Sequence, residues 1–273
     1  MSEQLYIELK KNLSLISGPC VIESAALCDE IAGELKKISQ RLGFQLIFKA
    51  SFDKANRTSI NSFRGPGIDK GLQILSDIKQ KYELPIVTDV HETYQIEPVA
   101  QVVDVIQIPA FLCRQTDLLL AAGNSDRIIN IKKAQFLSAK DMINAVEKVK
   151  STDNNKILLT ERGNTFGYNN LVVDYRNILE LQKSCPVVMD VTHSVQRIGS
   201  LGEKSGGDAN YAPSMAYAAG ILGTLSFFVE THPEPQKALS DGPNMIPLNQ
   251  IENLMSNLKK VTQAYSELVS LEL

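Results

Sequence analysis

The sequence predicts a single domain, residues 1–273, folded as a parallel (β/α)8 barrel of the TIM type. Three observations predict it. Eight short apolar runs rich in Val and Ile recur along the chain, segments of helical periodicity separate them, and nearly every run ends in charged or polar residues. Parallel strands covered by helices are buried on both faces and therefore read as near-continuous apolar runs. Eight such alternations in a chain of 273 residues match the closed barrel. A doubly wound open sheet is the alternative. No linker, low-complexity tract or shift of composition divides the chain.

In chain order, the strand-like runs are Leu13 to Ser17, Gln45 to Lys49, Pro85 to Asp89, Val103 to Ile108, Arg127 to Lys132, Ile157 to Thr160, Pro186 to Asp190 and Gly223 to Glu230. Between them, Ile31, Leu35, Ile38 and Leu42 form one helical stripe, and Leu72, Leu75, Ile78 and Tyr82 form a second. Ser138 and Asp141 have the spacing of a capping box that opens a helix running through Val149. Ile251, Leu254, Leu258, Val261, Tyr265 and Leu268 stripe the last helix.

Composition narrows the classes of function. The net charge of -3 argues against general binding to nucleic acid or an acidic membrane, so any cationic cluster must be local and its anion small. Met1-Ser2-Glu3-Gln4 begins no signal segment, and no apolar run approaches the roughly 20 residues that span a bilayer. A cytoplasmic protein is expected. The four cysteines form no CxxC pair and no disulfide-dense pattern, which makes each a free thiol or an isolated ligand.

One stretch concentrates the cations. Lys49, Lys54, Arg57 and Arg64 lie between an apolar strand and the turn Gly65-Pro66-Gly67, with one acid, Asp53, among them. Such a loop suits an anion. Lys132 and Arg162 end later strands, and Arg114 follows another, so several anionic groups could be held at one rim. Barrel active sites lie at the C-terminal ends of the strands, where these groups converge. A second subset comprises Cys20, His193, Glu230 and Asp241. Barrel closure sets the first strand beside the eighth, and the eighth beside the seventh. One thiolate, one imidazole and two carboxylates are a donor set for a borderline divalent transition ion. His232, two residues from Glu230 and on the same side of an extended segment, rivals His193. Cys20 follows Gly-Pro at a strand end, where a turn would expose it to the rim.

Five segments together resemble the 3-deoxy-D-manno-octulosonate 8-phosphate synthase family. They are Gly18 to Ser24 (GPCVIES), Phe48 to Arg57 (FKASFDKANR), Gln107 to Leu112 (QIPAFL), Thr165 to Asp174 (TFGYNNLVVD) and Asp190 to His193 (DVTH). The resemblance implies condensation of phosphoenolpyruvate with D-arabinose 5-phosphate and release of phosphate, in the making of a lipopolysaccharide sugar. The related heptulosonate synthases use erythrose 4-phosphate, and their cationic loop reads Lys-Pro-Arg-Thr. Asn56 in place of that proline favours the octulosonate branch. A metal-dependent aldolase or hydrolase of sugar phosphates is a further alternative, as is a non-catalytic sugar-phosphate-binding barrel.

By the same resemblance, Lys49, Gln107, Lys132 and Arg162 hold the phosphate and carboxylate of phosphoenolpyruvate. Lys54, Asn56, Asp89 and His91 line the reacting centre, with His193 a further catalytic residue. Arg57 and Thr58 take the sugar phosphate, and Arg114 is a further substrate-binding residue, at a subunit boundary of a homotetramer. Members with cysteine in the first motif require a metal, which makes Cys20, His193, Glu230 and Asp241 the implied ligands of a divalent Zn, Fe, Mn or Co ion. Three departures stand out. Thr58 replaces the commoner serine, Asp208 to Pro213 lacks an arginine that many relatives carry, and Ser240 to Leu248 combines features of both metal classes.

Overall fold

The structure, a computed structural model, describes residues 2–57, 59–168, 170–201 and 204–270. Helix α1 (Ser2–Lys11) leads into β1 (Ser14–Gly18), α2 (Ala25–Leu42), β2 (Gln45–Lys49), α3 (Ile68–Tyr82), β3 (Ile86–Asp89), α4 (Ile96–Val102) and β4 (Val105–Ile108). The chain continues through α5 (Thr116–Gly123), β5 (Ile128–Lys132), α6 (Ile143–Lys150), β6 (Ile157–Glu161), the short strands β7 (Asn164–Thr165) and β8 (Leu171–Val172), and α7 (Arg176–Gln182). Then come β9 (Val187–Asp190), β10 (Gln196–Leu201), β11 (Lys204–Gly207), α8 (Ala212–Gly220), β12 (Ser226–His232), β13 (Ile246–Pro247) and α9 (Ile251–Ser270).

Eight parallel strands in the order β1-β2-β3-β4-β5-β6-β9-β12 close when β12 pairs with β1. Each corresponds to one apolar run, with ends displaced by up to three residues. Among the larger displacements, the last strand starts at Ser226 rather than Gly223, because Gly223 adopts a left-handed φ of 85° and still belongs to the preceding turn. Local signals set the helices as well. Ser24 Oγ accepts the Leu27 amide at the start of α2, and Gly43, with φ of 71°, ends it. The Ser138 and Asp141 capping box forms reciprocally, although the first turn after it is 3-10 and α6 proper begins at Ile143.

Two cores result. The larger lies between the barrel wall and the helices. The smaller fills the barrel and takes one inward residue from every strand: Ile16, Ile47, Val87, Val105, Ile128, Leu158, Val188 and Phe228. Leu5 and Leu9 of α1 complete it, so α1 stoppers the N-terminal end of the barrel. The periodicity reading found no helix there. It also missed the antiparallel pairs β7–β8 and β10–β11, which are insertions after β6 and β9. At the other end of the chain the apolar stripe of α9 outruns its packing, since Leu268 is exposed.

Candidate active site

The alternation of side chains along a strand builds the site directly on the inner core. Two residues beyond the core residue, toward the C-terminal end, stand Lys49, Asp89, Gln107, Asp190 and Glu230, all buried. In β5 and β6 the same step brings Asn130 and Thr160, and the next brings Lys132 and Arg162. Thr160 Oγ1 donates to Asn130 Oδ1 at 2.6 Å, and Asn130 Nδ2 donates to Gln107 Oε1 at 3.2 Å, which fixes the Gln107 amide. Above this layer opens a cavity of about 910 Å3, walled by Lys49, Lys132, Arg162, Asp89, His91 and Glu230 among others. Beneath it, in the inner core, Phe228 offers its ring to both lysines, with Lys132 Nζ 3.7 Å and Lys49 Nζ 5.4 Å from the ring centroid.

The cations in this cavity are held by buried carboxylates. Lys49 Nζ donates to Glu230 Oε1 at 2.6 Å and to the Cys20 carbonyl at 2.8 Å. Lys132 Nζ donates to Asp190 Oδ2 at 2.7 Å, and His193 Nδ1 lies 2.9 Å from the same oxygen. Burial alone would raise the Asp190 carboxyl, but His193, Lys132 and Arg162 hold it far below the ordinary carboxylate range. Glu230 behaves alike, with burial overcome by Lys49, His193 and Lys54. Asp89, opposed by the same desolvation, is depressed by Lys54, His91 and Lys49. Its Oδ1 accepts from Ser51 Oγ and its Oδ2 lies 3.3 Å from His91 Nε2. These acids therefore stay ionised and keep the clamp charged yet ordered.

Beside the clamp, Cys20, Glu230 and Asp241 each offer a ligand atom, all within 4.8 Å of one another. Cys20 Sγ is 3.3 Å from Asp241 Oδ2. The donor set of one sulfur and two carboxylates fits a divalent transition ion, and Glu230 Oε2, although buried, has no hydrogen-bond partner among the described residues. A buried unpaired carboxylate oxygen is costly unless something occupies it. His193 stands next to the trio rather than within it: its Nε2 is 3.7 Å from Glu230 Oε2, while its Nδ1 is engaged by Asp190. Such a carboxylate partner fixes the tautomer that leaves Nε2 as the free nitrogen. His232 does not join, because its Nδ1 accepts the Glu234 amide.

Most of the predicted residues converge. Lys49, Lys54, Asn56, Arg57, Asp89, His91, Gln107, Lys132, Arg162, His193, Glu230 and Asp241 all line the one cavity. Cys20 lies just beneath it and is buried, not exposed at the rim as expected, since the chain after β1 continues alongside β2 through a Val21–Ser51 bridge. Arg114 is exposed outside the cavity, and Thr58 lies outside the described residues. Arg64, counted with the anion-binding cations, instead pairs with Asp53 across its own loop through Nε at 2.8 Å and also through Nη2. Lys133 turns away from the rim, as alternation with Lys132 requires. Sequence reasoning passed over Gln196, whose amide accepts from Arg162 and donates to Asp241, each at 3.1 Å. A loop amide carries no chemical signature, so only the fold reveals this bridge. Asp190 was legible as a strand-end acid but was not assigned a place in the site. Asp208 of the divergent loop pairs with Arg197 Nε at 2.7 Å.

A parallel barrel with a cationic clamp and a thiol-carboxylate cluster at its strand ends is an enzyme scaffold for small multiply anionic substrates. The chain belongs to the DAHP synthetase I family, whose model matches residues 4–267. Among curated relatives, a protein of Fusobacterium nucleatum is 53% identical over 247 residues, covering 90% of this chain and 89% of that one. A protein of Granulibacter bethesdensis is also 53% identical, over 90% of this chain and 88% of its own length. One from Desulfatibacillum aliphaticivorans is 49% identical over 97% of this chain and 98% of its own. All three carry the name 2-dehydro-3-deoxyphosphooctonate aldolase.

Proposed function

We propose that the chain condenses phosphoenolpyruvate with D-arabinose 5-phosphate to give 3-deoxy-D-manno-octulosonate 8-phosphate and inorganic phosphate, for lipopolysaccharide synthesis. The observation that carries it is the meeting of Lys49, Lys132 and Arg162 with the Cys20, Glu230 and Asp241 cluster in one cavity of a chain about half identical to curated octonate aldolases. The whole of residues 1–273 acts as a single catalytic domain in the cytoplasm. Among the described residues, no helix is long and apolar enough to cross a membrane.

In this reading Lys49, Lys132, Arg162 and Gln107 bind the carboxylate and phosphate of phosphoenolpyruvate. Holding them orients C3, a weak nucleophile, toward the aldehyde carbon of the sugar, and such orientation can lower the barrier by about 7–11 kcal/mol for well-aligned partners. Lys54, Asn56, Asp89 and His91 line the aldehyde side, and Lys54, with burial outweighed by the surrounding Cys20, Glu230, Asp89 and Asp241, stays firmly protonated as a donor to the forming hydroxyl. Carbon–carbon bond formation leaves C2 electron-poor and a water adds there, one of its protons replacing the one that Lys54 gives to the new hydroxyl; the bond from C2 to the phosphate oxygen then breaks as the C2 hydroxyl closes to the ketone and its proton leaves with the phosphate, which Lys132 and Arg162 face. A divalent transition ion held by Cys20, Glu230 and Asp241, with His193 alongside, would supply Lewis acidity at this end of the cavity. Arg57 and Thr58 bind the sugar phosphate. The exposed position of Arg114 supports its assignment to a boundary between subunits of a homotetramer.

Phosphate release from phosphoenolpyruvate, measured with each sugar phosphate, tests the assignment. Arabinose 5-phosphate is expected to be turned over far better than erythrose 4-phosphate, and chelation is expected to abolish turnover until a divalent ion is restored. The reverse sugar ranking would place the chain with the heptulosonate synthases that the family description names.

A further inference from the structure

Ser240 precedes Asp241 in the segment after β12 and is almost fully buried. Its hydroxyl touches three groups at once. Cys20 Sγ lies 3.1 Å from Ser240 Oγ, Asp241 Oδ2 lies 3.5 Å from it, and Arg57 Nη1 donates to it. Arg57 Nε, also buried, has no partner among the described residues, which leaves the guanidinium with a free donor for an anion.

We propose that Ser240 is a positioning residue that serves both halves of the site, holding the Cys20 sulfur in place beside Glu230 and Asp241 and Arg57 in the pose that binds the sugar phosphate. The inference rests on the reading of Cys20, Glu230 and Asp241 as a metal site. Cys20 Sγ is within hydrogen-bond reach of both Ser240 Oγ, at 3.1 Å, and Asp241 Oδ2, at 3.3 Å, so the hydroxyl sets where the sulfur sits among the candidate ligand atoms. Arg57 Nη1 donates to the same hydroxyl, so sulfur and guanidinium are positioned through one oxygen. Partners behind a ligand orient it toward its ion.

The test uses full-length protein stripped with chelator and titrated with cobalt(II) alone. The near-ultraviolet charge-transfer band from thiolate to cobalt reports Cys20 ligation. Ser240→Ala is expected to weaken cobalt binding about tenfold, the lower end of what loss of an outer partner does to a metal site. It is also expected to raise the KM for arabinose 5-phosphate severalfold while leaving that for phosphoenolpyruvate in place, and Ser240→Thr restores both. Arg57→Ala provides a second route should Ser240→Ala fold poorly: cobalt affinity falls in the native background and does not fall further in the Ser240→Ala background. A native band with cobalt affinity unchanged in Ser240→Ala and in Arg57→Ala overturns the inference and leaves the metal site standing. Absence of the band in the native protein removes the metal site and the inference together.

Discussion

Glu230 concentrates the conflict between stability and chemistry at a single residue. Its side chain and that of Lys49 are each 1% exposed, and they meet at 2.6 Å. Two buried charges gain little over an apolar pair, but removing one leaves the other charge uncompensated, and Lys49 would keep only the Cys20 carbonyl as acceptor among the described residues. Glu230→Ala is therefore expected to lower stability by about 3–5 kcal/mol through the uncompensated charge of the Lys49 ammonium, in addition to removing a candidate ligand from the Cys20 and Asp241 cluster. Urea denaturation of the chelated protein separates the two effects. If Glu230→Ala and the native protein unfold at the same urea concentration without metal, the ion pair contributes nothing. Chain order gives no hint of this pairing, because Lys49 and Glu230 stand 181 positions apart.

At the scale of elements, β5 and β6 each end in two charged residues of opposite orientation. Lys132 and Arg162 face the cavity, whereas Lys133 and Glu161 sit behind the wall, 3.5 Å apart and fully buried. Lys133 Nζ also donates to Asn164 Oδ1 at 2.9 Å, and Glu161 Oε1 accepts the Gly163 amide, so this pair ties the loop after β5 to the turn after β6. Burial raises the Glu161 carboxyl above its ordinary 4.5 despite Lys133. At Glu161 folding therefore takes up a proton between 4.5 and the raised value, and the contribution of this residue to stability is greatest at the acid side of that interval and declines as pH rises through it. Glu161→Gln is expected to flatten that decline when denaturation midpoints are followed from pH 4.5 upward; a variant with the native profile would assign the pH dependence elsewhere. The same elements show what the sequence makes legible. Parallel strands buried on both faces are visible as apolar runs, and the polar residues that end them mark the rim. Which end-charge faces inward follows from alternation once a strand's phase is known, and phase is set by the inner core, which no local window contains. Arg64 was misjudged for a related reason: its partner Asp53 lies across a loop whose closure the sequence does not display.

On the scale of the whole molecule, α1 acts at the end opposite the chemistry. Leu9 is 1% exposed and packs with Leu5 against the inner residues of the barrel. Leu9→Ala is expected to destabilise by about 2–5 kcal/mol, the range for a buried Leu whose cavity cannot collapse, and to leave both Michaelis constants unchanged. A thermal melt together with steady-state kinetics checks the pair of outcomes, and a native melting temperature would show that α1 does not seal the barrel. The helix escaped the periodicity reading because only Leu5 and Leu9 of its ten residues are buried, too few to form a stripe.

Barrel closure through β1 and β12 also sets a clock on synthesis. Cys20 and Asp241 are separated by 221 positions. At the roughly 5–20 residues per second of translation, on the order of tens of seconds pass between the making of the first ligand and the last. During that time Cys20 is a lone thiol on an unfinished chain, with no carboxylates to trap an ion beside it. On the proposed metal reading, capture waits until Asp241, beyond β12, has emerged, and a truncated chain lacking Glu230 and Asp241 presents no such site.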